Sequence, residues 1–198
     1  MSPMTLLREG LLEGRSVAVA GGVPAALRES LVKLGARTER FDPDVEQAIA
    51  GEVVGSWARA RAPLHALVYD ASAAFAGGGS RGLRTALEQA WVAIHELATG
   101  ELIPSGRGGK IVLIGPRAEA GAFAEPTRAA LENLARTLSV EWARHHITVT
   151  MVAPGARTTD QDVAGIVCYL VSPAGDYFSG CRLSLGRRPS TSPPPRAR

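Results

Sequence analysis

Residues 122–155, AFAEPTRAALENLARTLSVEWARHHITVTMVAPG, change their periodicity part-way along. Leu131, Leu134, Leu138 and Trp142 recur at helical spacing, and Ala130 and Val140 widen the same stripe. From Ile147 the chain passes into a β-branched and apolar run that ends in Pro154-Gly155. The expected reading is a helix over 125–144 feeding a strand over 147–155. A strand that is apolar on both faces has to be covered on both, as parallel strands are.

The same kind of run recurs as SVAVAG (16–21), HALVYDA (65–71) and KIVLIG (110–115), with helical patterns at 24–34, roughly 45–61 and 83–98 between them. A shorter strand, RTERFD (37–42), follows the first helix; after VAPG come a helix, QDVAGIVCYLVS, and a last strand over 180–186. Parallel neighbours can be joined only by a crossover, so this alternation predicts βαβ units. The expected fold class is α/β: a single three-layer, Rossmann-like, doubly wound domain with a mainly parallel sheet, over 15–186. Residues 1–14 read as a lead-in, and 187–198, rich in Arg, Pro and Ser, as a disordered tail.

Composition narrows the function. In 198 residues, 45% hydrophobic and 21% charged content are those of a globular chain, and a net charge of +3 gives no ground for a nucleic-acid partner. No apolar run approaches membrane-spanning length, and the N-terminal stretch carries acids and no cleavage-site pattern, so a cytoplasmic protein with no membrane partner is expected. Cys168 and Cys181 lack metal or redox spacing and read as buried thiols. His65, His95, His145 and His146 are scattered; the last two fall where a helix gives way to a strand and suit the negative end of its dipole. No metal site is expected.

Taken in order, GRSVAVAGG, LHALVYDAS, GKIVLIGP, TRAALENLARTLSVEWARHHITVTMVAPG and DVAGIVCYLVSPAGDYFSGCRLSLG resemble the short-chain dehydrogenase/reductases, in particular their ketoacyl-reductase type. That resemblance implies hydride transfer from NAD(P) by an Asn, Ser, Tyr and Lys set, the phenol protonating a carbonyl. The matching positions here hold Ala86, Pro116, Ala124 and Arg128. No Tyr or Lys lies between 111 and 146, so no shift of register restores the pair. Arg128 keeps a cation but not a proton donor useful near neutrality. It reads either as a solvated helix residue or as a remnant ribose or phosphate contact.

The family's glycine-rich first turn is curtailed to AGGVPAALRES, leaving Gly21 and Gly22 as cofactor candidates and Pro24 to start the helix. Asp42 could meet an adenosine ribose, or could cap a turn in FDPD. Gly155 and Thr159 match a Pro-Gly-x-x-x-Thr motif that contacts nicotinamide, although Thr158, Thr159 and Asp160 also make a helix cap. GGGSRG (77–82) reads as a flexible loop and GRGGK (106–110) as a turn before a strand.

The resemblance also implies missing parts: a strand and helix between 42 and 65, residues between Pro116 and Ala124, and the lid that follows VAPG. The helices through which family members pair, 83–98 and 125–144, are kept. The leading expectation is a non-catalytic structural or regulatory subunit, homo-oligomeric or paired with an active relative, with NAD(P) binding weak or absent. The alternatives are an NAD(P)-dependent oxidoreductase of ketones or acyl thioesters with an unconventional proton donor, and a non-redox enzyme or small-molecule sensor using the same cleft.

Overall fold

The computed structural model describes residues 7–43 and 55–186. Six strands form one sheet: β1 (Ser16–Gly21), β2 (Arg37–Phe41), β3 (Ala66–Asp70), β4 (Gly109–Ile114), β5 (Ile147–Pro154) and β6 (Cys181–Leu185). Their order is β2-β1-β3-β4-β5-β6, and every neighbouring pair is parallel. The described helices are α1 (Ala25–Lys33), α2 (Ser56–Ala60), α3 (Ser72–Phe75), α4 (Gly79–Leu97), α5 (Ala124–Glu141) and α6 (Asp160–Val171), with shorter turns between them.

Alternation along the strands divides the core into two layers, because successive side chains of a strand point to opposite faces. Ala18, Leu67, Tyr69, Ile111, Leu113, Val149 and Met151 pack with the inner faces of α4 and α5. Val17, Val19, Val68, Val112, Ile114 and Val152 pack with α1 and α6. The three-layer, doubly wound arrangement expected from the sequence is therefore the one observed.

Several boundaries move. The helix expected over 45–61 is described only at Ser56–Ala60; the rest of that span lies outside the described residues, as does the tail 187–198. Leu12, placed in the lead-in, is fully buried, and its N–H donates to the Leu34 carbonyl at 2.8 Å, so that segment belongs to the core. GGGSRG is only partly a loop: α4 begins at Gly79, four residues before the expected start. Gly82 passes so close to the Phe75 carbonyl that a Cβ there would stand 2.9 Å from its oxygen, which gives that glycine a packing reason.

Candidate functional site

In an open parallel sheet the natural crevice lies beyond the carboxyl ends of the strands, where the order reverses. Here that is between β1 and β3, whose last residues, Gly21 and Asp70, are register partners. Gly21 takes a left-handed φ of 73°, and the Gly22 N–H donates to the Asp70 carbonyl at 2.9 Å. The turn is tight against its neighbour: a Cβ on Gly22 would lie 2.7 Å from Ser72 Oγ and 2.9 Å from Ala73 N. Ser72 ends Tyr69-Asp70-Ala71-Ser72, in the place where the family resemblance puts Asn-Asn-Ala-Gly, so a side chain stands where a bare glycine is expected.

Asp70 is 4% exposed and accepts a hydrogen bond from the Ser72 N–H at 2.8 Å. Burial pushes its carboxyl up to about 6, with Asp160 adding to the rise and the Ser72 contacts and Arg117 opposing it. Arg117, from the loop after β4, reaches across to the loop after β5. It donates to the carbonyls of Gly155 and Thr158 and pairs with Asp160 at 2.9 Å. Asp70, Ser72 and Arg117 were not singled out from the sequence. The signal available was the departure of Tyr69-Asp70-Ala71-Ser72 from the family's ending.

The four positions that the resemblance matches to the catalytic set are all buried. Ala86 and Ala124 have no exposure, Arg128 has 4%, and Pro116 is buried too. The Ala86 carbonyl accepts the hydroxyl of Tyr69 at 3.1 Å, and Tyr69 is itself wholly buried, its phenol pushed up by desolvation. Arg128 is not the solvated helix residue that the sequence also allowed. Its Nη2 donates to the Pro154 carbonyl at 3.1 Å and its Nη1 lies 3.4 Å from Glu125. Glu125 in turn pairs with Arg182 of β6 at 2.7 Å. Arg128 Nε has no hydrogen-bond partner among the described residues. The expectation of a solvated residue failed because the spacing of α5 places this position over the β5 end, which a one-dimensional stripe does not reveal.

The remaining candidates are dispersed. Asp42 sits on the exposed surface beside β2, paired with Arg40 at 2.9 Å. Thr159 is the N-cap of α6: its hydroxyl accepts from Asp162 N at 3.1 Å and donates to Asp162 Oδ2 at 2.8 Å. Thr158 Oγ1 accepts from Gly155 N at 2.9 Å and donates to the Leu185 carbonyl at 3.0 Å. Gly155 is needed for strand approach, since a Cβ there would lie 2.3 Å from the Leu185 oxygen. Among the described residues no cluster of His, Cys, Asp or Glu could hold a metal, and no helix is long and apolar enough to cross a membrane.

No protein-family model matches the chain, and no curated protein does. Solved structures do. The citronellol catabolism dehydrogenase of Pseudomonas aeruginosa PAO1 superposes with a TM-score of 0.70 at 22% identity, over 91% of this chain and 96% of that one. A variant of a Serratia marcescens short-chain dehydrogenase/reductase reaches 0.68 at 26% identity, over 88% and 96%. This chain has a short-chain dehydrogenase/reductase-like fold. A third protein with that fold, from Beutenbergia cavernae and described as a putative NAD(P)-dependent gluconate 5-dehydrogenase with NADP bound, matches at 0.68 and 20% identity, over 89% and 97%. The citronellol and gluconate neighbours are described as dehydrogenases, and the fold they share is here carried on 198 residues.

Proposed function

We propose that this chain is a non-catalytic subunit with a short-chain dehydrogenase/reductase-like fold, assembling through α4 and α5 with a second copy of itself or with an active relative. The observation that carries the reading is the burial of Ala86, Pro116, Ala124 and Arg128, none of which is a proton donor suited to the reaction. The surroundings support weak or absent NAD(P) binding. Ser72 stands against Gly22, Arg117 ties the β4 and β5 loops together, and the Thr159 hydroxyl is taken up in its cap. Asp70 adds a carboxylate beside the turn that would have to accept a pyrophosphate. Trp91 on α4 and Val140 on α5 are 46% and 78% exposed, and this apolar surface supports a helical interface.

Calorimetric titration with NADPH and NADH, together with sedimentation of the same sample, tests the reading. The expected result is no saturable heat up to about 1 mM nucleotide, weaker than about −4 kcal/mol of binding. The chain should sediment as a dimer, alone or with the active relative, and Trp91→Glu should dissociate it. Micromolar nucleotide binding by a folded protein would overturn the proposal. A second reading rests on Asp70, a buried carboxyl beside the Gly21-Gly22 turn that burial pushes up to about 6. It requires nucleotide-dependent reduction of a ketone or acyl thioester that Asp70→Asn abolishes.

A further inference from the structure

The amino ends of β1, β3, β4 and β5 line a cavity of about 570 Å3 at the opposite edge of the sheet from the crevice. Its basic residues come from separate parts of the chain: Arg15 before β1, His65 before β3, Arg107 and Lys110 around the start of β4, and His146 before β5. Asp176 supplies the one carboxylate among the described lining residues. The Ser179 hydroxyl accepts from Val149 N and keeps its proton to donate, whereas that of Ser139 is spent on the Arg136 carbonyl.

Two of these cations are already balanced. Arg107 forms a close ion pair with Glu101, and Lys110 forms one with Asp176. Arg15, half-buried, makes no ion pair among the described residues. Lys110 is 7% exposed, and the strong compensation that an ammonium held out of water calls for comes from Asp176. His65 Nδ1 accepts the Ser16 N–H at 3.0 Å, which leaves Nε2 to carry the proton of the neutral ring. Burial first, then Arg15 and Arg107, hold this imidazole below its usual value, so the ring already sits in a positive field. The carboxyl end of α5 does not account for Arg15 or Arg107, which arrive from other elements.

We infer that the cavity at the amino edge binds a small multivalent oxyanion of the phosphomonoester or diphosphate class, held by Arg15 and the His65 Nε2–H. A guanidinium fork matches phosphoryl oxygens in charge and geometry. A cavity of about 570 Å3 is of a size for a small molecule, in keeping with the net charge of only +3. The inference does not depend on the reading of the carboxyl edge.

The test uses the full chain and inorganic pyrophosphate, followed by calorimetry and by the ring resonances of His65. Wild type should bind with a dissociation constant of about 0.1 mM, and the His65 titration should move upward when the anion is present. Arg15→Gln, which breaks no ion pair, should keep the melting temperature and weaken binding at least roughly tenfold. Arg28→Gln, an exposed cation on α1, should leave binding unchanged. No saturable binding at about 10 mM, or equal weakening by Arg28→Gln and Arg15→Gln, would overturn the inference. Because NADPH itself carries phosphates, titrating Arg15→Gln with NADPH assigns any nucleotide heat to one edge or the other.

Discussion

The two edges of the sheet handle charge in opposite ways. At the carboxyl edge, polar groups are turned inward on one another: Thr159 on Asp162, Thr158 on Gly155 and Leu185, and Arg117 on Asp160 and two carbonyls. At the amino edge, an open cavity keeps more cations than acids, with Arg15 left over. In α/β sheets it is the carboxyl edge that ordinarily holds the ligand. A buried hydrogen bond satisfied within the protein is one no longer offered to a ligand, so the internal pairing at the first edge and the unpaired Arg15 at the second are the same kind of observation with opposite sign.

Variants can break or sharpen this contrast. The largest effect is expected from Gly155→Ala, because the added Cβ would lie 2.3 Å from a backbone oxygen of β6 that has little freedom to move. Denaturant unfolding should show a loss of about 3 kcal/mol. A loss below about 0.5 kcal/mol would mean that β5 and β6 separate easily at their carboxyl ends.

Asp70→Asn should follow, and its effect depends on pH. The folded-state carboxyl titrates near 6, above its ordinary unfolded value, so between about pH 4 and 6 the folded state binds more protons than the unfolded one. Wild-type stability should therefore fall as pH rises through that window and stay lower above it. Asparagine removes this dependence and can still accept from the Ser72 N–H. The variant should match wild type near pH 4 and exceed it by about 2 kcal/mol at pH 7.5, in parallel urea titrations at the two pH values. No gain at pH 7.5 would indicate that Arg117 fully compensates the ionised carboxylate.

Thr159→Ala should cost about 1 kcal/mol through the lost cap and leave nucleotide titrations unaltered. Thermal melts and calorimetry on the same protein would separate a capping role from a cofactor contact. The smallest effect belongs to the amino edge: Arg15→Gln should change stability by less than about 0.5 kcal/mol. A larger cost would mean that Arg15 serves the fold, and that the two edges are alike after all.

Much of the fold was legible in the chain. β1, β3, β4 and β5 stand out because each is a continuous apolar run, and α5 because Leu131, Leu134 and Leu138 repeat at helical spacing. The start of α4 was misplaced because a glycine-rich stretch carries no local helical preference, and only the approach to Phe75 explains Gly82. The site was half legible. That Ala86, Pro116, Ala124 and Arg128 lack the family's chemistry follows from residue identity. That Arg128 is buried and tied to Pro154 does not, since its partner lies 26 residues away on another element.

By itself, then, the sequence determined the α/β class, the order of strands and helices along the chain, and the absence of a tyrosine or lysine from 111 to 146. These depend on periodicity and composition, which are local properties. Only the tertiary structure decided that Tyr69 reaches Ala86, that Arg117 spans two loops, and that Arg15, His65 and Lys110 share one cavity. The physical reason is that parallel crossovers bring together the ends of strands separated by tens of residues. Burial, field and hydrogen-bond satisfaction at those ends are set by neighbours that no local window contains.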